Sequence, residues 1–486
     1  MAPEEKGVIA AQYNGSPSRE MPRPLLSGLL SVVLPGAGQV YAGRVLRGLV
    51  IATLALAAVV LAAWYVVPRG AALADEVVNL DVLLGLFVAN AVVLLGRLWV
   101  VVDAYSLAAR ERRSALGRPR AAVAAVSLLI LAALTIAPHA LVGWGTYLTY
   151  DTIDTVFAEE EPHDVLTPSA LNALPFLVPG SGQALHGDRT IAPPEPESRA
   201  WTTVLLIGGD AGYLRVGLRA DTIVAVSIQA NTGRAAVFSV PRNLRHAPLV
   251  GPAAAVHERF PDILNALYRF AQGRPELFPG GRDPGATALK QTVSNLLGIP
   301  VHYYVLVDLR GFVEVVDALG GIRMMAPDSV DDLTSPAFPG EPWTDIQVTQ
   351  GQVVKLDGRR ALAYARSRSA TSDYTRMVRQ RCILAAMAGR IDSLRAVRSL
   401  GRLSAAAKEF VSTDIPRQRL PDFVKLLRGI DPSRTFSVSF TPPAYSVVEP
   451  DILAYRGTAQ RLLHQKAARL RESGLRPVTG LCPGIA

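Results

Sequence analysis

The sequence predicts an α/β fold: a layered α/β/α domain with a mixed central sheet, preceded by transmembrane helices. Three features carry that prediction. Before residue 145 the chain holds apolar runs long enough to cross a bilayer. After residue 200, short β-branched runs alternate with helix-length segments, the succession that builds an α/β sheet. Between them, Ile191–Ser198 carries Pro193, Pro194 and Pro196 among acids and reads as a stiff linker.

The chain has 486 residues, room for two to four domains or for a membrane region and one large domain. Half of the residues are hydrophobic and mean hydropathy is +0.25, high for a purely soluble protein. The formal charge of +9 points to an anionic partner: nucleic acid, membrane or substrate. The sequence has neither zinc-type Cys/His spacing nor basic-aromatic interleaving, so no nucleic acid is expected.

Residues 1–23 are polar and read as a disordered cytoplasmic tail. The membrane region is expected over 24–145, with spans at 49–67, 82–102 and 121–142. Leu25–Gly43 is apolar but contains Pro35, Gly36, Gly38 and Gly43, which argue against one straight spanning helix. It is expected to be re-entrant or interfacial. Its Pro-Gly-Ala-Gly-Gln-Val-Tyr-Ala-Gly run resembles a signature of small bacterial membrane-helix-pair modules. Arg110, Arg112, Arg113, Arg118 and Arg120 crowd the loop after the second span, against Glu111 alone. That loop is expected in the cytoplasm. The last span then exits outward, so the connector 146–199 and the domain 200–486 are expected outside a plasma membrane crossed several times.

In the domain, Thr202–Ile207, Thr222–Gln229 and Ala235–Val240 read as strands, with a turn at Asn231-Thr232-Gly233. Ile263–Gln272, Thr287–Leu297 and Gly311–Leu319 read as helices, and Val301–Asp308 and Ile322–Met325 as strands. Gln347–Leu356 reads as strand and turn. Helices are expected at Gly358–Ala365, Tyr374–Ile391, Arg395–Phe410 and Leu420–Leu427, with a last strand at Thr435–Thr441.

Charged residues gather at the expected strand ends. Asp210 follows the first strand, Arg219 and Asp221 flank the second, and Arg242 follows the third. Arg219 and Asp221 are two apart and so expected on one side. Two carboxylates and two guanidiniums at loop ends suit a divalent metal bridged to phosphate. Taken singly, such an Asp is more often a turn or cap residue. The stretch from Arg366 to Gln380 adds more donors. Arg366 and Arg368, two apart, would leave an extended segment on one side; Asp373, Arg376 and Gln380 fall on one helix face. Forked donors so arranged match phosphate oxygens, although such a run also suits a solvated basic face. Arg379 and Arg381 lie off that face and are expected to tolerate Lys. His246, His257 and His302 read as surface or packing residues rather than catalysts.

These pieces together resemble the LytR-CpsA-Psr family of cell-wall glycopolymer transferases. The resemblance rests on Leu205–Asp210, Arg219–Thr222, Ser239–Arg242, Asp317–Gly321, Leu356–Gly358, Ala361–Arg368 and Asp373 through Arg379-Gln380. It implies transfer of a glycopolymer from an undecaprenyl-diphosphate carrier to a peptidoglycan hydroxyl, with a phosphodiester formed. It implies that Arg219, Arg242, Arg366, Arg368, Arg376 and Gln380 hold the diphosphate and that Asp210 and Asp221 bind Mg²⁺; with Arg219 and Arg242 these aspartates form the catalytic set. Two positions depart from the family pattern. Asn243 stands where Asp is usual after Pro-Arg, and Ile263-Leu264-Asn265-Ala266 lacks the usual Lys. A lipid-diphosphate hydrolase and a non-catalytic polyprenyl-phosphate-binding regulator remain the alternatives. Leu264, Leu267 and Tyr268 line either a lipid slot or the core. Cys382 and Cys482 are the only cysteines, which excludes a disulfide framework but permits one bond. Outside the membrane they are expected to pair; a free buried Cys382 is the alternative.

Overall fold

The computed structural model describes residues 23–69, 76–116, 121–160, 165–166, 176–177, 184–185, 201–210, 217–338, 340–368, 373–388, 393–475, 477 and 482. The polar segment 1–22 and the proline-rich stretch 191–198 lie outside them. The chain divides into two compact units.

The first unit is helical, although residues 80–84 and 145–156 of its long helices belong to the second unit. Helices α1 (Pro24–Val33) and α2 (Ala37–Tyr41) are followed by α3 (Val45–Arg69), α4 (Leu80–Leu116) and α5 (Ala121–Val156). The last three are long and apolar enough to cross a membrane. α1 and α2 are each too short to do so, and the Pro-Gly run is the break between them. Close approach fixes its glycines. A Cβ on Gly38 would lie 2.0 Å from the Ser27 carbonyl oxygen, and one on Gly36 2.2 Å from that of Gly48. Gln39 is fully buried and donates to the Val100 carbonyl (2.9 Å) and to Asp103 (3.1 Å). The signature therefore anchors a broken helix pair to α4. The expected Arg-rich loop is helical through Arg110, Arg112 and Arg113. Ala, Arg, Glu and Leu there are all strong helix formers, and positive charge alone does not end a helix.

The second unit holds a mixed six-stranded sheet. Its strands are β1 (Trp201–Asp210), β2 (Arg219–Gln229), β3 (Ala235–Ser239), β4 (Tyr303–Asp308), β9 (Val411–Thr413) and β10 (Thr435–Ser439). They lie in the order β9-β4-β1-β2-β3-β10. β1 runs parallel to β4 and β3 to β10; the other pairs are antiparallel. Alternation splits the residues of β1 between the two faces. Leu205 and Ile207 enter a core with Phe238 and helices α6 (Pro284–Leu297) and α12 (Ile452–His464). Val204 and Leu206 face Ile415, Leu420 and Phe423, the last two on α11 (Leu420–Arg428). Leu264, Leu267 and Tyr268 are buried in the first core, so they pack rather than line a slot.

A smaller layer follows. β5 (Ile322–Met325) pairs with β8 (Val353–Leu356), and β6 (Val330–Thr334) with β7 (Thr344–Val348). Helix α7 (Leu309–Ala318) leads into it, and α8 (Gly358–Arg366) and α9 (Asp373–Ala388) pack against it, with α10 (Ser393–Phe410) beyond. Cys382 on α9 is bonded to Cys482 within this second core.

Candidate active site

Local sequence sets each side chain of the site. Asp210 closes β1 and pairs across to Arg219. Between Gly208 and Gly209 the register slips by one residue, which leaves Asp221 without a cross-strand partner. Such a bulge re-aims a side chain. Asp221 and Arg219 consequently line different cavities, despite their spacing of two. Pro241 ends the ladder after β3 and releases Arg242, whose Nη1 meets Asp221 Oδ2 at 2.8 Å. Asn265 holds the other carboxylate oxygen: its Nδ2 donates to Asp221 Oδ1 at 3.3 Å. Its own backbone N–H is fixed by the Arg242 carbonyl (2.9 Å). Asn265 therefore belongs to the site, a role visible in the sequence only as the retained Asn of a motif that lost its cation.

A cavity of about 180 Å³ brings Asp210, Asp221, Arg366, Arg376 and Gln380 together. Its walls are mostly apolar, from Val305 and Val307 on β4, Phe312 on α7, and Ile383 and Met387 on α9. Arg376 is 3% exposed and donates to the Asp221 carbonyl at 3.4 Å. Gln380 donates to the Ala365 carbonyl at 3.4 Å, which ties α9 to α8.

The geometry around the Arg-x-Arg pair differs from the expected one. Arg366 is the last residue of α8 rather than part of an extended segment, and it donates to the Ser335 carbonyl at 3.1 Å. The run Ala361–Ala365 favours helix strongly enough to carry the turn through Arg366. Ser367 is buried and its hydroxyl donates to Asp332 at 2.6 Å, while Arg368 is exposed and does not line the cavity. The Asp373 side chain lies outside the described residues.

Arg379 and Arg381 are not solvent-facing controls. Arg379 is fully buried, pairs with Asp328 at 2.9 Å and lies over the Tyr364 ring at 5.4 Å. It also donates to the Ser367 carbonyl at 2.5 Å, which fixes the exit of α8. Arg381 donates to Ser437 Oγ at 3.0 Å, and burial pushes its guanidinium down to about 10. Helix α9 packs on two sides, so little of it is left to face water.

The histidines serve packing and surface contacts. His302 accepts from the Thr203 N–H (3.1 Å), His257 meets the Phe270 ring edge-on and His246 pairs with Glu449 at 2.9 Å.

Asp308, expected only as a strand end, also belongs to the site. It ends β4, lines the same cavity and accepts from the Gly311 N–H at 2.7 Å as the cap of α7. Burial raises its carboxyl above its ordinary 3.8, partly offset by the N–H groups of Gly311 and Arg310. A raised folded-state value favours the protonated form. Its contribution to stability is complete below the unfolded value of about 4 and is lost as pH rises through the folded one. Asn caps a helix as well as Asp and carries no charge. Asp308→Asn should therefore gain stability over the parent between pH 4 and pH 7. Urea midpoints in detergent at the two pH values check this; a difference independent of pH would refute it.

Fold and site define a class: an α/β domain whose apolar cavity ends in guanidiniums and carboxylates, on a chain with three helices long enough to span a bilayer. The chain belongs to the LytR_cpsA_psr family, whose model matches residues 181–467. It is similar to the polyisoprenyl-teichoic acid–peptidoglycan teichoic acid transferase TagU of Halalkalibacterium halodurans. The two are 28% identical over 303 residues, 62% of this chain and 83% of that protein. TagV of Bacillus subtilis, named as the same type of transferase, is 28% identical over 279 residues, 57% of this chain and 60% of that one. The solved structure of B. subtilis TagV is 26% identical with a TM-score of 0.39, covering 55% of this chain and 99% of that chain.

Proposed function

We propose that this protein transfers a glycopolymer from an undecaprenyl-diphosphate carrier to peptidoglycan, forming a phosphodiester. The observation that carries the reading is the composition of one cavity. Its apolar walls suit the isoprenoid units nearest the diphosphate, and Arg366, Arg376 and Gln380 lie with two aspartates on the same lining. A lipid diphosphate needs both surfaces at once. The names of the TagU and TagV relatives, which specify a polyisoprenyl-linked donor and peptidoglycan, support the same reading.

In the reaction, an acceptor hydroxyl oxygen bonds to the sugar-linked phosphorus. The bond from that phosphorus to the bridging oxygen breaks, lipid phosphate leaves, and the hydroxyl proton is released. Such chemistry depends on positioning and charge neutralisation more than on a covalent nucleophile. Arg366 and Arg376 hold the diphosphate, with Arg219 and Arg368 at its approaches. Arg242 and Asn265 fix Asp221.

Mg²⁺ fits the donor set. This ion is commonly held by one or two carboxylates completed by substrate phosphates. Asp210 and Asp221 share the cavity, and no larger cluster of metal-ligating side chains occurs among the described residues. The two aspartates would hold the ion, which neutralises charge on the diphosphate. We place the domain outside the plasma membrane. Arg110, Arg112 and Arg113 at the end of α4 favour a cytoplasmic location for that end, and a disulfide favours an oxidising compartment for the domain.

The test is a turnover assay with a lipid-diphosphate glycan, with and without peptidoglycan fragments. Linked product formed only with acceptor supports the transferase. Lipid phosphate released equally without acceptor indicates a hydrolase, and binding without turnover a regulator. Asn265→Ala should lower the transfer rate about tenfold, the low end for a group that orients a catalytic carboxylate.

A further inference from the structure

The ladder of β6 and β7 has two unlike faces. Val330, Ile346 and Val348 turn into the second core. On the other face Asp331 pairs across to Gln347 and Leu333 to Asp345, and all four are exposed. Trp343 stands two residues before Asp345 and is 60% exposed. Neither strand carries a Lys or Arg. The loop that presents the Trp is held in place. The Ala337 N–H donates to Glu341 Oε2 at 2.5 Å, and the Glu341 side chain is only 4% exposed. An aromatic side chain on such a support loses little freedom when it binds a partner.

Two contacts set this loop at the rim of the candidate active site. Ala337 and Phe338 pack with Leu309, Phe312 and Leu362, and those three residues also line the cavity of Asp210 and Asp221. Arg366, on the same lining, donates to the Ser335 carbonyl at 3.1 Å. Ser335 and Trp343 are the residues just beyond the last pair of the ladder, Thr334 with Thr344. The chemistry of the face selects its partner. A sugar ring lays its weakly positive C–H groups on the negative face of an aromatic ring. Its hydroxyls donate to carboxylates and amide oxygens, here those of Asp331, Asp345 and Gln347. Two carboxylates without a cation repel a polyanion and an anionic lipid surface. An uncharged glycan backbone fits every part. We infer that Trp343 and the exposed face of β6 and β7 bind the glycan strand of the acceptor and lead its hydroxyl to the cavity. The inference rests on the proposed transfer and gives its acceptor a place on the molecule.

The test uses the full chain in detergent micelles and needs no turnover. Calorimetry with a β-1,4-linked N-acetylglucosamine tetramer, an uncharged glycan, should show binding that Trp343→Ala weakens about three- to tenfold, the scale of an aromatic stacking contact. Trp343→Phe, which keeps a ring, should retain most of it, and melting temperatures should not change. Equal binding to wild type and Trp343→Ala, or no binding to either, overturns the inference. In the transfer assay Trp343→Ala should raise KM for peptidoglycan fragments by the same factor and leave KM for the lipid-diphosphate donor and kcat unaltered. A rise in the donor KM instead assigns the face to the donor and overturns the inference. If the wild type transfers nothing but binds the tetramer through Trp343, the transfer reading fails and the glycan face stands. Vesicles of brominated phosphatidylglycerol test the membrane as occupant. The emission lost in Trp343→Phe should be emission that the brominated lipid does not quench; quenching of it places Trp343 in the bilayer and refutes the glycan face.

Discussion

Arg366→Lys and Arg376→Lys should each lower the rate of glycopolymer transfer about 10²–10³-fold, equivalent to about 2.7–4 kcal/mol in the barrier. Both substitutions keep the charge and lose the fork. A diphosphate must be held while negative charge shifts to the leaving lipid phosphate, and a lysine offers only a point charge for it. Arg366 and Arg376 face the cavity together with Asp210 and Asp221. Arg368 is exposed and off that lining, so Arg368→Lys should cost far less. Equal losses in all three would mean that the stretch acts as a general basic surface. Arg379 cannot serve as the neutral comparison, because its fully buried guanidinium holds Asp328 and the exit of α8. Its replacement should be read by melting temperature, not by rate.

Lys290→Met should destabilise the domain by about 3–5 kcal/mol, the cost of stranding one partner of a buried ion pair. Lys290 on α6 is 1% exposed, and its ammonium meets Asp414 at 2.5 Å. Asp414 is itself 5% exposed and accepts from the Tyr304 N–H at 2.6 Å. The pair thus joins α6 to β4 and to the segment after β9. With Met at 290 the helix packs, but the buried carboxylate loses its cation. A double variant, Lys290→Met with Asp414→Leu, should recover much of the loss, because no charge is then buried alone. Urea unfolding in detergent measures both. If the double variant is no better than the single one, packing rather than stranded charge is the cause.

Much of this molecule is legible in its amino-acid order. The long apolar helices follow from charge-free runs, and the first strands from β-branched alternation, because each signal is local. β6 is not local in that sense. Val330-Asp331-Asp332-Leu333-Thr334 falls in none of the strands expected from the sequence, yet it pairs with β7, and Asp332 accepts from the Ser367 hydroxyl. The helix Ile452–His464 is equally hidden, since its buried residues include Arg456, whose partner Asn295 lies 161 residues away. At the site, residue types were readable and directions were not. The slip at Asp221 turns Arg219 and Asp221 toward separate cavities, and no spacing rule anticipates a bulge. Arg379 failed a face argument that assumes one side of a helix meets water. Helix α9 meets protein on both.

The bond between Cys382 and Cys482 also has a consequence in time. Its two halves are separated by 100 residues. At a synthesis rate of about 5–20 residues per second, the second cysteine is made about 5–20 s after the first. Helix α9, which carries Arg376 and Gln380, emerges well before its covalent partner exists. Until then only packing and hydrogen bonds hold it. A ribosome that stalls anywhere in that interval leaves a chain with the arginines in place and an unpaired thiol beside them, open to capture by any other thiol in the compartment. Arrival of Cys482, rather than arrival of the site residues, is the event that closes that interval.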